Sequence, residues 1–268
     1  MANLSGLGVK DRELLSAVLR ETKGTIMVRD AARALRRSDS STAKWLSRWA
    51  KKGWLSRVRR GLYIRVPLEA ISPDVTPEDP WIIIDRLYSP CYIGGWSAAA
   101  YWELTEQIFR TVVVITARRV RELSPQIRGT PLLIRTTTAD RLFGTKAIWR
   151  AQAKVSVSDP ARTIVDILDR PDLGGGIRTT ADILTTYLSS DKKDLDLLVS
   201  YATRLRNGAV FKRLGFLLER IAPGEVKAIG ECKASLTKGK VKLDPALKAD
   251  RLVTRWQLWV PESWAKRE

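Results

Sequence analysis

The chain has 268 residues, with 47 Lys+Arg against 29 Asp+Glu and no histidine, giving a formal charge of +18 and a pI near 10.2. That balance favours an anionic partner, and the missing histidine removes Ser/His/Asp and Cys/His triads, histidine general bases and the usual histidine zinc sites. With 44% hydrophobic and 28% charged residues, the composition is that of a globular chain and not a disordered one.

This length suits one large domain or two ordinary ones, each with its own core. No apolar run approaches the ~18 residues of a membrane span, and the start, MANLSGLGVKDRELL, lacks the basic-then-apolar plan of a signal peptide. A cytoplasmic location is expected. Cys91 and Cys232 stand far apart with no CxxC spacing, so both are expected as free thiols. The charge is unevenly spread: residues 1–66 hold 16 Lys+Arg and 5 Asp+Glu, a net +11, whereas the other 202 residues carry only +7.

In chain order, Asp11 is placed to cap a first helix with the apolar stripe Leu14, Leu15, Val18 and Leu19, ended at Gly24. TIMV reads as a short β-branched strand, and RDAARAL as a second helix with Ala31, Ala32 and Leu35 inward. The polar turn RRSDSS leads into a third helix, STAKWLSRWAKK, stopped by Gly53. Two alternating segments, WLSRV and LYIRV, then form a hairpin through Arg59-Arg60-Gly61. Helix, strand, helix, turn, helix, hairpin is the order of a winged helix-turn-helix.

On the third helix Ser41, Lys44, Arg48 and Lys51 share one polar, cationic face, opposite Ala43, Leu46, Trp49 and Ala50. The N-terminal turn of such a helix enters the major groove, which makes Ser40, Ser41, Thr42 and Lys44 the candidates for base-edge and nearby phosphate contacts. Arg48, Lys51, Lys52 and the hairpin's Arg57, Arg59 and Arg60 are then expected to flank the groove and hold phosphates. Trp45, Trp49, Trp54 and Tyr63 are spaced as core residues and not as a stacking platform, which favours duplex DNA over RNA.

PLEAISPDVTPEDP, with four prolines, reads as an extended connector over residues 67–80. Residues 81–268 are expected to form a larger α/β or α+β domain with a mixed sheet and several helices. EDPWIIIDRLY starts a helix with an acidic cap and an early proline; CYIGGWSAAAYWEL is a strand, a Gly94-Gly95 turn and a helix capped near Ser97. RTVVVIT, TPLLIRTT and AKVSV are strand-like. SDPARTIVDILD opens a helix at Ser158 or Asp159, and TADILTTYL, DLDLLVSYATRL and AVFKRLGFLLERIA are further amphipathic helices. RLVTRWQLWVP alternates like a strand.

Smaller motifs have ordinary explanations. Gly174-Gly175-Gly176 lacks the strand and GKS/GKT of a phosphate loop and reads as a flexible turn. Asp166 and Asp169 fit a solvated helix face, with Asp159 as a cap. Glu231-Cys232-Lys233 has the E-x-K form of a metal-dependent nuclease strand but lacks a nearby upstream acid. The tryptophans from Trp81 onward read as core or interface anchors.

KKGWLSRVRRGLYI, YIGGWSAAAYWELTEQIF, SDPARTIVDILDRPDLGGGIR and RNGAVFKRLGFLLE, in that order, resemble the AbiEi antitoxins of type IV toxin–antitoxin systems, over roughly Leu14 to Leu218. The resemblance implies a winged helix that binds inverted repeats in its own promoter and represses transcription. It also implies a C-terminal domain that counters a nucleotidyltransferase-like toxin encoded beside it, directly or indirectly, with a dimer on DNA compatible with the repeats. No membrane partner, catalytic residue, cofactor or metal is expected. The alternatives are a winged-helix repressor whose second domain binds a ligand or protein, and a metal-dependent nuclease using Glu231 and Lys233.

Overall fold

The computed structural model describes residues 6, 8–22, 24–66, 79–150 and 153–265. The expected connector over residues 67–80 therefore lies, except for Asp79 and Pro80, outside the described residues. The chain divides into two compact units: residues 1–89 with Gln126–Thr130 and Ile148–Val155, and the remainder. The class is mixed α and β, with a helix–strand region at the N-terminus and a larger C-terminal region containing a mixed sheet.

In the first unit α1 (Val9–Glu21), β1 (Thr25–Met27), α2 (Val28–Leu35), α3 (Asp39–Lys51), β2 (Leu55–Arg59) and β3 (Leu62–Arg65) follow the order read from the sequence, and α4 (Pro80–Tyr88) groups with them. The strands form an antiparallel sheet in the order β1-β3-β2. Leu15, Val18, Ile26, Ala31, Leu46, Trp49, Leu55 and Tyr63 make the core that holds helices and sheet together. Tyr63 points into this core, while Leu62 and Ile64, on the opposite face of the strand, are buried as well. One expectation fails here. Asp11 is not a cap: the helix starts at Val9 behind Gly8, and Asp11 sits in the first turn with its side chain buried against α3.

The rest of the chain continues through β4 (Cys91–Ile93), α5 (Gly95–Tyr101), β5 (Val112–Thr116), β6 (Gln126–Ile127), β7 (Thr130–Thr136), β8 (Thr145–Arg150) and β9 (Ala153–Ser158). The central strands of the mixed sheet run β7-β5-β4-β9, with β4 antiparallel to β5 and the other two neighbouring pairs parallel. Helices α6 (Pro160–Asp169), α7 (Ile177–Ser189), α8 (Leu195–Leu205), α9 (Gly208–Ile221) and α10 (Val226–Ala234) pack into one large apolar core. Short strands β10 (Val241–Lys242), β11 (Arg251–Val253) and β12 (Leu258–Val260) and helix α11 (Glu262–Ala265) close the described chain. The expected C-terminal strand is thus split in two, because Thr254–Trp256 turns to drive the Trp256 ring into the core.

The Asp79–Pro80 and Asp159–Pro160 starts are as read: each aspartate accepts a hydrogen bond from the first-turn backbone, from Trp81 N at 2.9 Å and Arg162 N at 2.8 Å. Ser97 instead lies inside α5, where its hydroxyl accepts from Val113 N at 3.0 Å and ties helix to strand. The glycine run is a packed turn and no loose loop: a Cβ on Gly174 would stand 2.6 Å from Thr180 Oγ1, and Gly175 and Gly176 have φ of +82° and +95°.

Asp166, expected on a solvated face, is buried. Its carboxylate accepts from Tyr92 OH at 3.0 Å and from Arg162 Nε at 2.9 Å, both buried groups themselves. Burial outweighs these donors and pushes the Asp166 carboxyl from 3.8 up to about 6. The folded protein then holds a proton that the unfolded chain has released, so this group's contribution to stability falls as pH rises through that window and is level above it. Asp166→Asn is expected to remove this fall, on the order of 3 kcal/mol, from denaturation midpoints measured between pH 4 and pH 7.

Candidate nucleic-acid interface

Helix α3 begins two residues before the expected Ser41 because the Ser38 hydroxyl caps it, accepting from Ser41 N at 3.3 Å. Asp39 in the first turn complements the helix dipole. Thr42, Leu46 and Trp49 recur on the face buried in the core, which leaves Ser40, Lys44, Arg48 and Lys51 exposed on the other side. A shallow groove of about 460 Å³ runs along that outer face, lined by Ala43, Lys44, Ser47, Arg48 and Lys51.

The expected contact residues separate into three groups. Ser40, Lys44 and Lys51 are exposed, Ser41 is half-buried, and neither lysine has an acidic partner among the described residues. Arg48 and Lys52 are engaged: Asp11 accepts from Arg48 Nη2 at 2.5 Å and from Lys52 Nζ at 3.3 Å, and the Arg48 guanidinium also lies 3.9 Å from the centre of the Trp45 ring. Thr42 is a correction. Its side chain is fully buried with Leu46 and Trp49, so it faces the core and cannot present its hydroxyl to a groove.

The hairpin presents Arg57, Arg59 and Arg60, all exposed and all without an ion-pair partner among the described residues. A bulge between Arg57 and Arg59 shifts the register, so that Arg57 opposes Tyr63 and Arg59 opposes Leu62. Gly61 follows with φ of +82°; a Cβ there would meet only Val28 Cγ2 at 4.0 Å, so the backbone angle and not space calls for glycine.

Two groups escaped the sequence reading. Ser47 lines the groove, and so does Ala43, expected on the opposite face; both positions are legible from their spacing to Lys44 and Lys51. Arg36 and Arg37 are exposed in the turn before α3, with the Arg37 guanidinium 5.5 Å from the Trp45 ring centre.

The nuclease alternative loses its geometry. Glu231, Cys232 and Lys233 lie in α10, not on a strand, and Lys233 pairs with Glu219 at 3.2 Å. Burial pushes the Cys232 thiol up to about 12, so it is an inert core residue. No group of three or more acidic or cysteine side chains that could hold a metal ion occurs among the described residues, and none of the described helices is long and apolar enough to cross a membrane.

Within the first unit, Lys44 and Lys51 on α3 and Arg57, Arg59 and Arg60 on the β2–β3 hairpin are exposed and have no acidic partner among the described residues, an arrangement that suits an anionic partner. Residues 13–66 match the family of transcriptional regulators described as AbiEi antitoxins, and over this segment the resemblance read from the sequence is borne out. No curated protein matches the chain.

Proposed function

We propose that the chain is the antitoxin and autorepressor of a type IV toxin–antitoxin operon. Residues 1–66 bind inverted repeats of their own promoter as duplex DNA, and the C-terminal region beyond the 67–80 connector counters a nucleotidyltransferase-like toxin. The observation that carries the DNA reading is the set of exposed cations with no acidic partner among the described residues on two elements of one unit, Lys44 and Lys51 on α3 and Arg57, Arg59 and Arg60 on the hairpin. In this reading Ser40, Ser41, Lys44, Ala43 and Ser47 face base edges, and the hairpin arginines hold phosphates. The match of residues 13–66 to AbiEi antitoxins supports the regulatory role and a toxin partner in general.

Arg59→Ala/Arg60→Ala is expected to weaken binding to every duplex and to flatten the dependence of log K on log salt by about 1.8, since each neutralised phosphate contributes about 0.9. Lys44→Ala should instead relax sequence preference, at roughly 1–3 kcal/mol for a base contact. Anisotropy titrations against the protein's own promoter and a mixed-sequence duplex over a salt series measure both. Salt-independent binding, or no loss on removing both arginines, overturns the DNA assignment. Co-expression with the adjacent gene product tests the antitoxic half: growth must be rescued by the full chain.

A further inference from the structure

Cationic residues on the DNA-facing side of such a unit are ordinarily counted as phosphate contacts, yet two of the four on α3 and its end are already spoken for. Asp11 sits in the first turn of α1 with its carboxylate buried at the junction with α3. The carboxylate receives Arg48 and Lys52 together, one on each oxygen. Arg48 is fixed a second time by lying over the Trp45 ring. Lys44 and Lys51, on the same helix, have no such partner among the described residues. Burial works against the charged form of Asp11, but its polar and cationic neighbours outweigh it and hold the carboxyl below the usual range.

A phosphate that recruits Arg48 or Lys52 must therefore take it from Asp11. Doing so strands a carboxylate that is largely shut off from water, and a stranded buried charge is far costlier than an exposed pair is favourable. The arrangement is asymmetric. The two cations keep side-chain exposures of 47% and 35% and can reach solvent, whereas the acid, at 11%, cannot follow them.

We infer that Asp11 is a positioning residue that restrains Arg48 and Lys52 and so limits the sequence-independent affinity of α3 for DNA. The phosphate grip then rests on the hairpin arginines and Lys51, and the share of binding that carries sequence information is correspondingly larger. The inference rests on the DNA-binding reading above.

The test uses the full chain, a mixed-sequence duplex and a salt series. Asp11→Asn keeps the side chain's shape and removes its charge. It should bind the mixed duplex several-fold more tightly at low salt, with a log–log slope steeper by about 1 to 2, because one or two more phosphates are neutralised. The double variant Arg48→Gln/Lys52→Gln removes both positive charges but leaves Asp11 two amide donors, so the acid is not stranded and the variant stays informative if Asp11→Asn folds poorly. It should leave wild-type affinity within about twofold and the slope unchanged, and adding Asp11→Asn to it should steepen nothing. A slope that is unchanged or flatter in Asp11→Asn overturns the inference. So does a loss in Arg48→Gln/Lys52→Gln as large as that of Arg59→Ala/Arg60→Ala. Failure of the DNA reading looks different: the wild-type chain then binds without salt dependence or not at all.

Discussion

Arg162→Ala is expected to destabilise the second unit by about 3–5 kcal/mol at neutral pH, among the largest effects any single truncation in this chain should have. Arg162 is 2% exposed. Its Nε donates to Asp166 at 2.9 Å, its Nη2 donates to Tyr92 OH at 3.0 Å, and its guanidinium lies 4.0 Å from the centre of the Phe143 ring. Tyr92 OH in turn donates a hydrogen bond to Asp166. Truncation leaves the Asp166 carboxylate with a single donor in a buried site, and it removes packing from Phe143. These two losses separate by pH. The carboxyl titrates near 6 even with Arg162 present, because burial raises it and Arg162 only partly opposes that; without Arg162 it titrates higher. The loss should therefore be smallest near pH 5, where both proteins hold the proton and only packing is missing, and grow as pH rises past about 6. Tyr92→Phe, which removes one neutral donor, should cost only about 1–2 kcal/mol. Urea denaturation followed by tryptophan fluorescence at pH 5 and pH 8 measures all three, and a loss for Arg162→Ala that does not change with pH refutes the buried-pair account.

What could be read from the sequence was what local chemistry decides. The order of elements in the first unit follows from 3.6-residue apolar stripes, from Gly53 just past α3 and from Gly61 in the hairpin, although α1 stops at Glu21, short of the expected Gly24. The starts of α4 and α6 follow from Asp-Pro pairs, where cap and proline act within one turn. Asp11 and Asp166 were misread for one shared reason: an acid in a helical turn looks the same whether it faces water or a cation from a distant segment. Arg48 is 37 residues from Asp11 and Tyr92 is 74 from Asp166, and no periodicity reports such pairs. Thr42 is a different kind of miss. Its spacing to Leu46 and Trp49 already puts it on the buried stripe, but a hydroxyl in a cationic helix suggested a polar role. The E-x-K motif has the form of a nuclease strand because three residues carry no period of their own; Ala228, Ile229 and Cys232, recurring at i, i+1 and i+4, show the helical face that settles it.

Gly215→Ala tests packing against propensity, which here predict opposite signs. In a helix interior alanine is favoured over glycine by about 1 kcal/mol, so propensity alone makes the substitution stabilising. Gly215, however, lies in α9 directly beneath Trp256, and a Cβ there would stand 2.1 Å from the ring carbons Cη2 and Cζ3. Carbon atoms in contact sit about 3.5–4 Å apart, so the ring must recede by more than 1 Å. It is poorly placed to do so. Trp256 is fully buried, and its Nε1 donates at 2.8 Å to Glu219, one turn along the same helix. Glu219 is held in turn by Lys233 at 3.2 Å and Arg255 at 2.8 Å, and these neighbours together keep its carboxyl below the usual range against the effect of burial. Overpacking of this kind costs about 1–3 kcal/mol or more, and with the tether the upper end is expected. Gly230→Ala supplies the opposite case: it is exposed in the middle of α10 with nothing within 4 Å of its would-be Cβ, so only propensity acts and a gain of up to about 1 kcal/mol should follow. Thermal melts of the two variants should move in opposite directions from the wild type; a Gly215→Ala protein as stable as Gly230→Ala would mean that Trp256 can move aside, and that the contact between α9 and the chain end is looser than the geometry states.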